Sequence, residues 1–268
     1  MTVNVVRADP AGNITLLVTS SVPRVQYAKL SARLMENSLW KAEQVGFIVP
    51  PIMGGDGRLE MMGGEFCGNA LRSAGFYMAK QKGIKKPRTL MMECSGASAL
   101  VPVSVDPEQG TASCLMPLPK AFIPMPECGP GACLVEMEGI AHLILPDRSP
   151  DEAFICKGLR RIIERLPGLD ACGLMFLRPN EKRMHPVVFV RATDTLVHES
   201  SCASGSAAAA ACLAMQSEET NVQFSLRQPG GTIEAEVATE KGRIVSLSIG
   251  GTVHLDEPNT YDTGGSLF

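Results

Sequence analysis

The sequence has no apolar run long enough to cross a membrane, since the longest, Ala207 to Met215, is far shorter than a bilayer requires. It also lacks clusters of basic residues, and its formal net charge is −3. Nucleic acid and anionic membrane surfaces are therefore not expected partners. No basic region followed by an apolar stretch opens the chain, which predicts a cytoplasmic protein. The expected partners are a small molecule and, as a homodimer, a second copy of the chain.

The sequence also lacks a phosphate loop, a dinucleotide-binding fingerprint and a Gly-x-Ser-x-Gly elbow. Its nine cysteines are odd in number and follow no disulfide framework, which predicts reduced thiols. Cys128 and Cys133 lie near each other, but no histidine follows at zinc-finger spacing. We therefore expect neither a metal nor a cofactor.

What the sequence does contain is one order of elements that occurs twice. Each half has a strand, a helix, two strands, a cysteine, a second helix and a hairpin. In the first half the strands are predicted at 14–18, 45–49 and 58–62 and the first helix near 24–37; in the second half the strands are at 140–145, 173–177 and 187–191 and the helix near 150–165.

This repeat predicts an α+β fold of two pseudo-symmetric lobes, each an open, barrel-like sheet around a central helix, with the active-site cleft between the lobes. The N-terminal lobe is predicted at 1–118, with the C-terminal segment 255–268 returning to it, and the C-terminal lobe at 119–254. The proline-rich stretch 117–131 is expected to be a linker with few residues in a sheet.

The first helix of the second half has a clear predicted start. Ser149 is expected to cap it, Pro150 suits the first helical position, and Glu152 stands where a capping box places an acid.

Cys67 and Cys202 are predicted at the starts of the second helix of each half, and small residues follow both. Unpaired N–H groups and the positive end of the helix dipole lower a thiol pKa from its usual value of about 8.5. A single such cysteine is usually a packing residue, but two at equivalent places of a repeat favour a function. If one thiolate removes a proton from a carbon and the other thiol returns one to the opposite face, the carbon inverts.

The motifs "CGNA" at 67–70 and "SCASGSA" at 201–207 resemble the two cysteine motifs of the diaminopimelate epimerase fold, which also contains cofactor-independent amino-acid racemases. Further matches are "AGNITLLV" at 11–18, "EQVGFI" at 43–48 and "QPGG" at 228–231, so the resemblance covers nearly the whole chain. The resemblance implies a pyridoxal-independent racemase in which Cys67 and Cys202 are the two acid/base groups.

The chain departs from diaminopimelate epimerases before the second cysteine. Those enzymes carry Glu-Arg and Gly-Ala-Gly-Glu-Thr there, whereas this chain has "LVHESSC", and its nearest arginine, Arg191, lies upstream. A second substrate carboxylate would lack its bidentate partner. The pattern is most similar to the histidine racemases of staphylopine-type metallophore biosynthesis, which implies histidine as the substrate.

The resemblance and the helix-start geometry together give a set of expected substrate contacts. His142 is expected to contact these residues rather than the substrate. The expected contacts are Asn13, Gln44, Gly68, Asn69, Glu199, Ala203 and Ser204. Structural roles remain the alternative: a turn for Asn13, a strand-end cap for Gln44, a solvated carboxylate for Glu199 and a core position for His142.

The rival functions are a diaminopimelate epimerase, a racemase of another amino acid, a phenazine-type isomerase and a non-catalytic redox or ligand-binding protein.

Overall fold

A computed structural model describes residues 2–191 and 194–262 of the chain. It has a sheet-dominated α+β fold, as predicted, with four α-helices in the described residues. Contacts divide these residues into two compact units, 2–115 with 250–262 and 116–249. The part of the predicted returning segment beyond 262 lies outside the described residues.

The first unit contains nine strands and two α-helices among its described residues. They are β1 (Thr2–Asp9), β2 (Thr15–Val18), α1 (Tyr27–Met35), β3 (Gln44–Val49), β4 (Gly57–Met61), α2 (Gly68–Gln81), β5 (Arg88–Cys94), β6 (Val101–Asp106), β7 (Thr111–Leu115), β17 (His254–Leu255) and β18 (Asn259–Asp262).

The second unit follows a similar order, and its last strand ends in the first unit. Its elements are β8 (Ala121–Pro124), β9 (Cys133–Glu136), β10 (Ile140–Pro146), α3 (Glu152–Arg165), β11 (Ala171–Arg178), β12 (Arg183–Val190), β13 (Thr195–His198), α4 (Ala203–Ala214), β14 (Asn221–Gln228), β15 (Gly231–Glu240) and β16 (Arg243–Thr252).

The strands of the two units pair in the same succession. In the first unit β2 and β3 are parallel, β3 and β4 antiparallel, and β4 and β5 parallel. In the second unit β10 and β11 are parallel, β11 and β12 antiparallel, and β12 and β14 parallel. In the first unit the last of these strands, β5, follows Cys67 and α2. In the second unit the last strand, β14, follows Cys202 and α4.

The helices that follow the two cysteines are deeply buried within their units. Every residue from Gly68 to Gly75 of α2 is buried, and in α4 so are all residues except Ser204 and Leu213. Alanine has high helix propensity and little bulk, so the run from Ala207 to Ala211 forms a narrow helix that strands can pack around closely. No helix among the described residues is long and apolar enough to cross a membrane.

The proline-rich stretch 117–131 contains one short strand. Strand β8 lies inside it and pairs antiparallel with β9. The prolines in this stretch argued against a strand. Pro124 is the last residue of β8, so the pairing of β8 with β9 continues up to that residue.

The predicted N-cap of α3 is wrong. Its N-cap is Asp151, whose carboxylate accepts a hydrogen bond from the Phe154 N–H at 2.8 Å. Ser149 lies two residues earlier and instead accepts from the Arg178 guanidinium at 2.7 Å. Serine and aspartate are both good N-caps, so the residue types alone did not decide between them.

We therefore expect Asp151→Ala to lower the free energy of unfolding by about 1 kcal/mol, because it leaves a helix N–H without its acceptor. Ser149→Ala is the matched control and should cost less than about 0.5 kcal/mol, since its contact is exposed. Urea unfolding of both variants measures the difference. A larger loss for Ser149→Ala would contradict the assignment.

Candidate active site

Cys67 is the N-cap of α2 and lies in the first unit. Its backbone is extended (φ −133°, ψ 111°), as an N-cap residue requires, and its side chain does not bond to the helix N–H groups. The thiol instead donates to the Gln44 side-chain oxygen Oε1 at 3.2 Å. The partly buried Cys67 therefore lies against Gln44 at the start of β3, and Gln44 is one of the substrate contacts predicted from the sequence.

The side chains behind Cys67 form a network of amides. Asn13 Oδ1 accepts from Gln44 Nε2 at 2.8 Å and from Asn69 Nδ2 at 3.2 Å. Asn13 Nδ2 donates to the Glu43 carboxylate at 2.7 Å. The structure thus brings together Asn13, Gln44 and Asn69, which the sequence predicted as separate contacts.

Arg72 is a member of this network that sequence reasoning missed. It is fully buried, and its Nε donates to Asn69 Oδ1 at 3.2 Å. Its remaining bonds go to the backbone carbonyls of Pro10, Gly251 and Thr252. Burial lowers the pKa of Arg72 to about 10, so it remains a cation at neutral pH. An arginine one turn into a predicted buried helix was the signal that could have revealed it.

Cys202 is the N-cap of α4 and lies in the second unit, with an extended backbone (φ −124°, ψ 112°) very similar to that of Cys67. Its sulfur accepts from the Gly205 N–H at 3.4 Å. Its own N–H donates to Gln228 Oε1 at 2.9 Å, and Gln228 Nε2 donates to Ser206 Oγ at 2.8 Å. Gln228 belongs to the "QPGG" stretch, but no local pattern in the sequence placed it beneath the cysteine.

Ser204 connects Cys202 to a buried histidine. Its hydroxyl oxygen lies 3.6 Å from the Cys202 sulfur and 2.9 Å from His142 Nε2. His142 is fully buried, which lowers its pKa to about 3 and keeps the ring neutral. Its Nδ1 has no hydrogen-bond partner in the described part of the chain and packs against Gly173, where a Cβ would lie 2.5 Å from it.

The remaining predicted contacts lie at the two helix starts and beside Cys202. Gly68 and Ala203 are the first residues of α2 and α4, so their N–H groups are among those that lack an intrahelical acceptor. Glu199 is partly buried and hydrogen-bonded to Cys202.

The expectation that the helix start lowers the thiol pKa is wrong for Cys202. Burial raises its pKa well above the ordinary value, and the Glu199 carboxylate raises it further. The hydrogen bonds from Ser204 and the Gly205 N–H act in the opposite direction but do not offset these two effects. Cys202 is therefore a thiol at neutral pH in the free protein.

The described residues contain no cluster of metal-ligating side chains. Over 2–191 and 194–262 there is no group of three or more His, Cys, Asp or Glu side chains placed to hold an ion. All nine cysteines lie within these ranges, and they are thiols rather than disulfides.

A solved structure shares the fold over almost its whole length. The hydroxyproline epimerase from Agrobacterium vitis superposes with a TM-score of 0.67 at 14% identity, covering 99% of this chain and 94% of that one. At this identity the likeness establishes the fold alone.

Two relatives are similar in sequence. A histidine racemase from Fusobacterium nucleatum subsp. nucleatum is 32% identical over 212 residues, which are 76% of this chain and 78% of the relative. The histidine racemase of Staphylococcus aureus strain Mu50 is 27% identical over 233 residues, or 84% and 85% of the two chains.

With this fold and these relatives, the protein is an isomerase of the amino-acid racemase class. More narrowly, the family model described as the histidine racemase CntK N-terminal domain matches residues 2–257, and the chain belongs to that family.

We expect Glu199→Gln to speed the alkylation of Cys202 by iodoacetamide at pH 7.5. Removing the carboxylate lowers the thiol pKa, and a pKa lower by one gives about tenfold more thiolate. Burial, the largest cause of the raised pKa, remains, so Cys202 should still react more slowly than an exposed thiol. Peptide mass spectrometry measures the rate at each cysteine.

Glu181→Gln is the matched control for this variant, because Glu181 is an exposed carboxylate of the same unit that pairs with Arg183. It should leave Cys202 alkylation unchanged. Unchanged or slower alkylation in Glu199→Gln would show that the carboxylate does not hold the proton on Cys202.

Proposed function

We propose that this protein is a histidine racemase that inverts the α-carbon without pyridoxal, using Cys67 and Cys202 as its two acid/base groups. One sulfur removes the α-proton and the other thiol protonates the opposite face, and the roles reverse for the other enantiomer. The expected substrate contacts are those predicted from the sequence, and the proposal assigns no metal or cofactor to the reaction.

The observation that carries the proposal is the equivalent placement of the two cysteines. Each is the extended N-cap of a buried helix that follows a similar succession of strands in its own unit. The N–H groups of a first helical turn suit a substrate carboxylate and the enolate-like charge that develops on it during proton removal. The same repeat supports two pseudo-symmetric lobes, each an open, barrel-like sheet around its central helix.

The protonation states fit this chemistry once substrate is bound. Cys67 donates its S–H to Gln44, and burial keeps Cys202 protonated. Catalysis needs one thiolate and one thiol, so a proton must leave on binding. The α-ammonium group of an amino acid supplies a positive charge beside the sulfurs, which favours the ionised form.

Histidine is proposed from the family and from its relatives, whose names carry that substrate. Against diaminopimelate stands the position of Arg191, the arginine nearest before Cys202. Its guanidinium donates to the Pro167 carbonyl at 2.7 Å and so already has a structural partner. The role in metallophore biosynthesis, the cytoplasmic location and the homodimer stay predictions.

The direct test is to incubate the reduced protein with L-histidine in deuterated water without pyridoxal. We expect loss of the α-proton signal by NMR together with fading optical activity. No exchange with any single amino acid would overturn the racemase proposal, and a preference for diaminopimelate would overturn the substrate.

Cysteine variants test the two-base mechanism separately. Cys202→Ser and Cys67→Ser should each lower racemisation by about 10²-fold or more, because each removes one acid/base group. Each should retain exchange of the α-proton for only one enantiomer, and the two variants should retain opposite ones. Cys156→Ser, at an exposed cysteine, is the matched control and should keep full activity. Exchange of both enantiomers by either active-site variant would contradict two bases.

A further inference from the structure

The amide network behind Cys67 begins and ends on charged side chains that act as opposite kinds of hydrogen-bonding group. At one end Arg72 Nε donates to Asn69 Oδ1 at 3.2 Å. At the other end the Glu43 carboxylate accepts from Asn13 Nδ2 at 2.7 Å. A guanidinium can only donate and a carboxylate can only accept, so neither end tolerates the reverse orientation of its amide.

These two ends determine the orientation of every amide between them. Asn69 must turn its Nδ2 toward Asn13, and Asn13 must turn its Oδ1 toward Asn69 and Gln44. Gln44 therefore presents Nε2 to Asn13, and the same Nε2 reaches Thr15 Oγ1 at 2.8 Å. Its oxygen, Oε1, is left facing Cys67 at 3.2 Å.

Burial makes this orientation strict. Thr15, Asn69 and Arg72 are fully buried, so water does not compete for their polar groups. The Thr15 hydroxyl donates to the Asn13 carbonyl at 3.3 Å, which leaves its oxygen as an acceptor for Gln44. One reversed amide would place two donors or two acceptors against each other, and buried groups are rarely left so.

The consequence falls on the proton of Cys67. An oxygen acceptor at 3.2 Å bonds to the S–H group but sets its lone pairs against those of a thiolate. A hydrogen bond made only to the neutral form disfavours the ionised form, and it opposes the attraction between a thiolate and the Arg72 guanidinium.

We propose that Glu43 and Arg72 are positioning residues that set the polarity of the amide network, so that Gln44 presents its oxygen to Cys67 and the free protein holds Cys67 as a thiol. The inference rests on the proposed function, because it gives the resting protonation of one of the two acid/base groups.

The test reverses the polarity without changing the net charge. In the double variant Glu43→Gln with Asn69→Asp, both side chains keep their size, but the obligate acceptor moves to the Arg72 end. The carboxylate introduced there can only accept, so Asn13 must turn its Nδ2 toward it and toward Gln44. Gln44 must then offer its oxygen to Asn13 and its Nε2 to Cys67. The Thr15 hydroxyl can rotate to donate to the turned amide.

We expect iodoacetamide to alkylate Cys67 about tenfold faster at pH 7 in the double variant, because the thiolate gains a hydrogen bond. Simple repulsion predicts the opposite, since the negative charge has moved onto α2, two residues from Cys67. Glu257→Gln is the charge control: Glu257 is an exposed carboxylate of the same unit that pairs with Lys80, outside the amide network. It should leave the rate within about twofold.

A folded double variant that alkylates Cys67 at or below the wild-type rate would overturn the proposal. If the double variant does not fold, the unchanged protein decides the question by Raman spectroscopy. Its S–H band at pH 7 should exceed that of Cys67→Ser by one thiol, and equal bands would overturn the proposal. Neither measurement uses substrate, so failure here is separate from failure of the racemase assay.

Discussion

The first turn of a helix carries N–H groups that no carbonyl of the same helix can reach, and the structure around both cysteines depends on this constraint. Because α2 and α4 begin inside their units, other protein groups pack closely around the two helices, and the residues at the contacts must be small. A Cβ on Gly205 would collide with Met175 Sδ, and one on Gly75 would lie 2.5 Å from Val103. The glycine and alanine content of both helices follows from how closely neighbouring residues pack against them.

The same burial decides the ionisation of Cys202. The helix dipole favours a thiolate by about 0.3–1 kcal/mol, whereas loss of water around a buried ion costs several times more. Burial accordingly raises the pKa of Cys94 and of Cys114 to about 12. Cys202 follows them rather than the dipole, so position at a helix start did not by itself predict its ionisation. Cys202 also contacts Glu199, Ser204 and a backbone N–H, but burial remains the largest influence on its pKa.

The sequence predicted the repeat and the two helix-capping cysteines because both depend on local pattern. Alternation and helical spacing are visible in a single stretch, and small residues after each cysteine mark a crowded helix start. Strand β1 was missed although Val3 and Val5 alternate inward, since no turn signal precedes the first residue. Arg72 and Gln228 were missed for a different reason: their partners lie far along the chain, and a sequence pattern does not report such contacts.

The two units repeat a backbone but differ in the polar groups that touch each sulfur. Cys67 faces a side-chain oxygen, whereas Cys202 receives a backbone N–H and lies beside a carboxylate and a hydroxyl. The extended N-cap conformation depends on the backbone alone. Two repeated units can therefore share this conformation while the side chains around it differ. An enzyme that takes a proton at one sulfur and gives one at the other needs equal reach from both, but it does not need equal surroundings. The two units share the N-cap backbone at their cysteines, and the side chains around the two sulfurs differ without altering it.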